Sequence, residues 1–494
     1  MLGSVAIGAQ PFTIRPLLLD GDPVPDRAGV QFESPERYAI NGRGQAAVIV
    51  NAGGIRGLWA QQTLDGPFMP LIEVGDVVPG TGGSVAESIA SQPHPISEAG
   101  LTGIRFQVSG TGVNGNSKNA IVVADIETET ISAFGVSGDP APGISGGVFD
   151  LTQFLPFLSD DGEILFSSSI FDGATSDTDA LYLASALDQQ PTLVSRTGDP
   201  VPSIGAGATI SQVFDGVVRG PILAFYGQYA DGDSEFPGIW LGGKGRGEAE
   251  LVIADGQEIP GLEPPQFFTE LLFGRLSLEA DGSLLFFAAV TDNGSPATRR
   301  RGIFRRSADG VLSALALEGD PAPGIAGATF RSLGGSEFSG NGHVLFNALL
   351  EGPGISFELE NDNSIWQYFD GELTVLAREG DQLPAGYREG RFSLANALGQ
   401  IASSGGTGTI SRLSASLPNN QWFVVLENGD VLDVRGEARV VSLVDTLGFA
   451  TRGGYDGFAP DGRLAFNLRF EDGTSGIFTA DLNLVLFANG FELP

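Results

Sequence analysis

One hexapeptide constrains this chain more than any other feature. Gly319-Asp320-Pro321-Ala322-Pro323-Gly324 closes an apolar run, Leu312 to Leu317, and precedes another, Ala328 to Leu333. Gly319 suits the positive φ of a strand end. The Asp320 carboxylate can accept a backbone N–H two residues on, as an Asx-turn. Pro323-Gly324 has the residue order of a type II turn. The two prolines interrupt ladder pairing. The expected object is a stiff corner between strands.

Copies of this corner start at Gly21, Gly75, Gly138, Gly198, Gly256, Gly319, Gly380 and Gly429. Gln257 replaces Asp in the fifth copy, and the last copy lacks its proline. The spacing stays near 60 residues over a chain of 494, which is the signature of a repeat array. The repeat overrides the two to four domains that length alone would suggest.

Each unit carries four short apolar segments. In the unit after Gly256 the first strand lies within Phe267 to Leu278. Asp281-Gly282 turns into the second, Ser283 to Val290. A loop, Thr291 to Arg301, leads to the third, Gly302 to Phe304. Asp309-Gly310 turns into the fourth, Val311 to Leu317. Asp-Gly between apolar runs signals a hairpin. The second strand carries Gly followed four residues on by a large apolar residue, as in Gly162/Phe166, Gly282/Phe286, Gly342/Phe346 and Gly462/Phe466. The third reads small-aliphatic-aromatic, as in Gly57-Leu58-Trp59, Gly238-Ile239-Trp240 and Ser364-Ile365-Trp366. Trp422 is the fourth tryptophan beside this element. A tryptophan row could stack sugars, but a position repeated in every unit is expected to pack neighbouring units together.

Four antiparallel strands per repeat describe an all-β propeller. Phe12 to Leu19 reads as a fourth strand with no unit before it. The last repeat supplies three strands, near Val440 to Val444, Arg463 to Phe470 and Gly476 to Thr479. The N-terminal strand would complete that sheet, giving eight blades. In one alternative Asn483 to Phe487 is the eighth fourth-strand and Phe12 to Leu19 is loose; in another, because repeats two and seven match the template poorly, there are seven blades or an open arc. The expected division is residues 1–10 as a signal-peptide remnant, 11–482 as one propeller and 483–494 as a tail.

At the second-strand turns the chain resembles a family of bacterial exported tandem-repeat proteins named for an Asn-x-x-Gly-x-x-Ala-Phe repeat. Asn41 to Val48 carries the pattern except for its final Val, and Ala459 to Phe466 keeps Gly, Ala and Phe. The resemblance implies an exported bacterial protein of unestablished function, with motif residues that are structural. Leu486 to Glu492 resembles a Phe-x-x-Gly-Phe-Glu tail of exported proteins, which implies a sorting role.

Composition narrows function mainly by exclusion. The net charge of −33 argues against nucleic acid. Arg299, Arg300, Arg301, Arg305 and Arg306 form the one basic cluster, expected as a solvated loop. The absence of cysteine excludes disulfides and thiolate chemistry. No apolar run approaches the ~20 residues of a spanning helix. His94 and His343 lie four repeats apart, so neither a zinc site nor a His-based triad is supported.

The corner carboxylates Asp22, Asp76, Asp139, Asp199, Asp320 and Asp381, with Asp430, are the metal candidates, and Ca²⁺ is the cation they would take. The preferred reading is that each caps its own turn. The loops between second and third strands are acidic and irregular: Asp172 to Asp179, Asp231 to Glu235 and Glu351 to Asp362. They should open on the same face as the corners. The expectation is a monomeric, secreted or envelope-attached propeller, with no catalytic or cofactor residues assigned, that binds a protein or glycan through this face. The alternatives are a carbohydrate-active enzyme using carboxylates near the central channel, and a purely structural surface protein.

Overall fold

The computed structural model describes residues 14–481, except 90–95, 98, 111–117, 152–155, 160, 172–177, 186–189, 272–275, 293–297, 339–343, 360, 382–395, 399–400, 406–410, 418–420, 428 and 446–462. Among the described residues the elements are strands, with a short 3-10 turn at Phe357–Leu359. The expected signal remnant, the C-terminal tail, His94 and His343 lie outside the described residues.

Eight sheets follow one another in chain order. The first is Phe32–Ile40, Ala46–Ala52, Ile55–Gln61 and Met69–Glu73. The fifth is built on Gln266–Leu271, Leu284–Thr291, Arg300–Arg306 and Leu312–Leu317. Side chains are described in seven of the sheets. The sheet of Asn396–Leu398, Ile401–Gly405, Ser411–Leu417 and Gln421–Glu427 is described as strands alone, so Trp422 has a position but no described contacts. Each sheet touches the next, and the last touches the first. The chain is an all-β propeller.

Closure uses the N-terminal strand. Ile14–Leu19 pairs antiparallel with Ser475–Asp481, running from Ile14↔Ala480 to Leu19↔Gly476. It therefore occupies the edge that 483–487 would have filled in the alternative arrangement. Arg463–Phe470 and Glu437–Asp445 complete the sheet, and the extra strand Val431–Val434 pairs beyond it.

The second-strand aromatic faces the third-strand aromatic directly across the ladder in sheet after sheet: Phe166↔Tyr182, Phe225↔Trp240, Phe286↔Phe304, Phe346↔Trp366 and Phe466↔Phe478. A first-strand Phe closes three of these groups: Phe149 meets Tyr182 at 5.0 Å, Phe268 meets Phe304 at 5.0 Å and Phe330 meets Trp366 edge-on at 4.9 Å. The group of Phe330, Phe346 and Trp366 packs on Leu285, Phe287 and Ile303 of the preceding sheet. The aromatic row is therefore inter-sheet packing, as expected, and a bulge on the fourth strand recurs beside it, for example between Ile303 and Phe304.

The corners are more ordered than their prolines suggested. All eight corner glycines have positive φ, between 72° and 102°. Gly319 N–H donates to Phe330 O at 2.7 Å, and Phe330 N–H donates to Asp320 O at 3.0 Å. Pro321 itself bridges Thr329. Pairing does not stop at the corner; it continues as a small hairpin using the groups that proline leaves available. The Pro-Gly turn is as expected, with Ile325 N–H on Ala322 O at 3.3 Å and Gly324 at φ 80°.

The Asp-Gly hairpins also differ in one respect from a two-residue loop. Glu279 N–H donates to Ser283 O at 2.9 Å, and Gly282 N–H to Glu279 O at 3.0 Å. Only Gly282 of the Asp281-Gly282 pair has positive φ, at 89°. The loop is therefore three residues, with the glycine closing it in the left-handed region. The Asn-x-x-Gly turn is held in a related way. Asn41 is buried, its Oδ1 accepts from Gln45 N–H at 3.0 Å, and its Nδ2 donates to Ser97 O of the next sheet at 3.0 Å. That motif residue is structural.

Candidate functional site

The corner carboxylates act on their own turns, but in the opposite direction from an Asx-turn. Asp22 Oδ2 accepts from Leu19 N–H at 2.8 Å, Asp76 Oδ2 from Glu73 N–H at 2.8 Å and Asp199 Oδ2 from Arg196 N–H at 3.1 Å. Each reaches back three residues to the strand that is ending. The reason is that the forward N–H is either missing, at proline, or already in the corner hairpin. Gln257 serves the same donor with a carboxamide, accepting from Ala254 N–H at 3.1 Å. The substitution at that corner thus keeps the acceptor and drops the charge.

Charge at the corners is met by arginine. Asp22 pairs with Arg435, Asp199 with Arg246 and Asp320 with Arg300. The candidates Asp22, Asp76, Asp139, Asp199, Asp320 and Asp381 stand one to a corner. Among the described residues no three His, Cys, Asp or Glu side chains come together in a metal-holding group.

The arginine cluster is a strand, which corrects the expected loop. Arg300–Arg306 is the third strand of its sheet. Arg299 pairs with Glu270, Arg300 with Asp320, and Arg305 donates to Ser283 Oγ at 3.2 Å. Ile303 and Phe304 point to opposite faces and are both buried, Phe304 against the preceding sheet and Ile303 against the next, while Arg299 and Arg300 meet acidic neighbours at the edge.

Corners and second-to-third-strand loops lie at the same end of the sheets, as bonds between them show. Gly53 N–H donates to Gln31 O at 3.2 Å, Asp179 N–H donates to Thr197 Oγ1 at 3.0 Å, and Arg300 reaches Asp320. The loop after Glu163–Phe171 lies mostly outside the described residues. Asp231 pairs with Ser234 in a short exposed turn.

The third loop, Glu351 to Asp362, stands apart from the rest of the face. Its feet are anchored. Asp362 is buried; its carboxylate accepts from Arg331 at 2.9 Å and its carbonyl from Leu350 N–H at 2.6 Å. Asn361 ties the middle, with Oδ1 accepting from Ser356 N–H at 3.0 Å and Nδ2 donating to Gly354 O at 2.8 Å. Arg378 donates to Asn361 O at 2.8 Å. On this support the turn Phe357–Leu359 holds Phe357 73% and Leu359 60% exposed. Between them Glu358 is held below the usual carboxylate range by a backbone N–H and the Ser356 hydroxyl. Sequence reasoning picked this loop for its acidity and missed its two apolar side chains. The legible signal was Phe and Leu placed between Gly352-Pro353-Gly354 and Asn361, where no strand could bury them.

Among the described residues burial raises three carboxyl groups, Asp179 and Asp255 at the corner end of the sheets and Glu279 in a hairpin at the other end. Asp255, just before Gly256, is pushed up by desolvation, and its Oδ1 is buried without a hydrogen-bond partner. Glu279 is likewise raised, mainly by burial, with Oε1 unpartnered. A carboxyl whose folded pKa exceeds its unfolded one binds protons more readily when folded, so its contribution to stability falls as pH rises through that window. Asp255→Asn is expected to raise Tm at pH 7 by about 1–2 °C. The advantage should shrink as pH falls through the raised folded pKa towards the ordinary Asp value of 3.8, and be gone below it. A melt series across pH checks this, and an advantage independent of pH contradicts it.

A family model described as a family of unknown function, DUF7453, matches residues 50–485. No curated protein matches the sequence. Among solved structures, an oligogalacturonate lyase in complex with manganese is 11% identical, with a TM-score of 0.38, over 82% of this chain and 95% of that one. An acylaminoacyl peptidase of Pyrococcus horikoshii is 11% identical, with a TM-score of 0.40, over 80% of this chain and 52% of that one. Prolyl oligopeptidase B of Galerina marginata, as apo protein, is 13% identical, with a TM-score of 0.39, over 91% of this chain and 55% of that one. The chain thus spans about half the length of the two peptidases.

Proposed function

We infer that this chain, which belongs to the family of unknown function DUF7453, is a binding propeller that holds a protein partner through the loop Glu351 to Asp362. One observation carries the reading: Phe357 and Leu359 are held outward on a loop bonded at both feet and in its middle. Large apolar side chains fixed in water have a cost unless a partner covers them, and preorganisation lowers the cost of binding. Glu358 stands between the two apolar residues and Glu351 at the foot of their loop, and the chain carries a net charge of −33. The partner surface is therefore an apolar pocket with a basic rim. The reading takes all eight sheets as blades of one monomeric ring. It also includes export from a bacterial cell, supported by the Asn-x-x-Gly turns and the 487–492 tail.

A photo-crosslinking residue at position 357 tests the loop, with position 311 as control, since Val311 is 60% exposed on another sheet. The expected result is one adduct from 357, competed by unlabelled protein, and none from 311. The identified partner should then bind Phe357→Ser/Leu359→Ser at least about tenfold more weakly, with an unchanged melt. Equal affinity of the double variant overturns the assignment. Binding of polysaccharides alone would move the protein to the glycan reading.

A further inference from the structure

A cavity of about 560 Å³ lies between the third sheet and the fourth, which is Thr209–Arg219, Ile222–Asp231, Ser234–Gly242 and Ala249–Ala254. Its floor is Ile210, Phe225 and Trp240, all buried. Its walls are Val194 on the third sheet, Leu251 on the fourth and Val201 of the corner between them. Its size is that of a small-molecule site.

The other sheets show what occupies this place. Each corner glycine donates its N–H to the carbonyl of one first-strand residue, which marks the same position in every repeat. Gly21, Gly138, Gly256 and Gly319 mark Phe32, Phe149, Phe268 and Phe330, whereas Gly198 marks Ile210. The four phenyl rings stand against Trp59, Tyr182, Phe304 and Trp366, with centroids 4.9, 5.0, 5.0 and 4.9 Å apart and planes at 88°, 80°, 78° and 76°. In the eighth sheet the marked residue is Val441, and there Phe470 supplies the perpendicular ring to Phe478 from the second strand, at 5.7 Å and 68°. Trp240 is the fourth sheet's aromatic at that position. Ile210 brings it no ring, and its partner Phe225 lies flat on it, at 5.1 Å and 3°. The cavity opens beside this unfilled aromatic position.

The charged groups at the mouth select against an ion. Asp199 and Arg246 pair with each other at 2.7 Å, and Glu250 is exposed to water. A charge carried past them would lose its own water to an apolar floor with no counter-charge to meet it. An uncharged ring gives up no such hydration, and a perpendicular aromatic contact is worth more than the area it buries.

We propose that this cavity binds a small uncharged aromatic molecule, whose ring takes against Trp240 the place that phenylalanine side chains take in the other sheets. The site is independent of the loop at Phe357.

The test uses benzyl alcohol as the probe and cyclohexylmethanol as its saturated counterpart, with benzoate and benzylammonium as charged counterparts. Binding to the full chain is read by calorimetry and by ligand-observed NMR. The saturated alcohol is the more hydrophobic of the two, so a site that only buries area would favour it. Benzyl alcohol is expected instead to bind about threefold or more tighter than cyclohexylmethanol, and tighter than either ion. Ile210→Phe supplies the repeat's own ring and should remove binding. Ser203→Trp, from the exposed corner residue that lines the cavity, should block it as well, and decides the matter if Ile210→Phe does not fold. The proposal is overturned if benzyl alcohol does not bind, if cyclohexylmethanol or either ion binds as tightly, or if a folded filling variant still binds.

Discussion

Deleting residues 1–19 is expected to open the ring and remove about 5–7 kcal/mol of stability. The estimate comes from Leu17, Leu18 and Leu19, which are 8%, 2% and 5% exposed, at about 2 kcal/mol for each buried leucine. The loss also bares Ser475–Asp481 as an unpaired edge. Gel filtration of the truncated chain should show aggregation or expansion, and its melt should lose cooperativity. A peptide of the sequence Ile14 to Leu19, added in excess, should restore part of the melt. Leu18→Asp is the milder version, placing a charge at a buried position. A truncated chain that melts like the full one would mean that closure does not depend on this strand.

Trp366→Ala is expected to cost about 3–5 kcal/mol. Trp366 is fully buried, meets Phe330 edge-on at 4.9 Å and donates from Nε1 to Ser364 Oγ at 2.8 Å. Trp59 occupies the same repeat position, fully buried, but its Nε1 is buried with no hydrogen-bond partner. Replacement by Phe separates ring from donor. Trp366→Phe loses a hydrogen bond and leaves Ser364 short of a partner, while Trp59→Phe removes an unmet donor. Urea melts should show Trp366→Phe to be more costly, by about 1 kcal/mol or more. Equal costs would mean that the indole N–H contributes nothing at either site.

The architecture was legible because its determinants are local. Glycine at a strand end, Asp-Gly between apolar runs and alternation within six residues are each settled by a few neighbours in sequence. Arg463–Phe470 was read with its observed limits, and the closing strand was read to within two residues of its start. What escaped depends on partners far along the chain. Asp22 could be assigned to its turn, but its reach back to Leu19 N–H follows from hydrogen bonds already spent on the next sheet. Arg299 to Arg306 looked like a solvated loop because charge dominates the local pattern. The acids that accept those guanidinium groups, Glu270 and Asp320, lie in other strands and corners. The outward Phe357 is visible only once the feet of its loop are fixed, and the space over Trp240 only once two sheets are set side by side.

Closure by Ile14–Leu19 also sets an order of events during synthesis. The strand that completes the last sheet is made long before the strand it pairs with, Ser475–Asp481. At about 5–20 residues per second, translation leaves it waiting for on the order of 20–90 s. Through that interval Leu17, Leu18 and Leu19 have no partner strand of their own chain. A neighbouring nascent chain on the same message offers the same Ser475–Asp481 edge. Exchange of this one strand between two copies, rather than misfolding inside a repeat, is the characteristic error such a molecule must avoid.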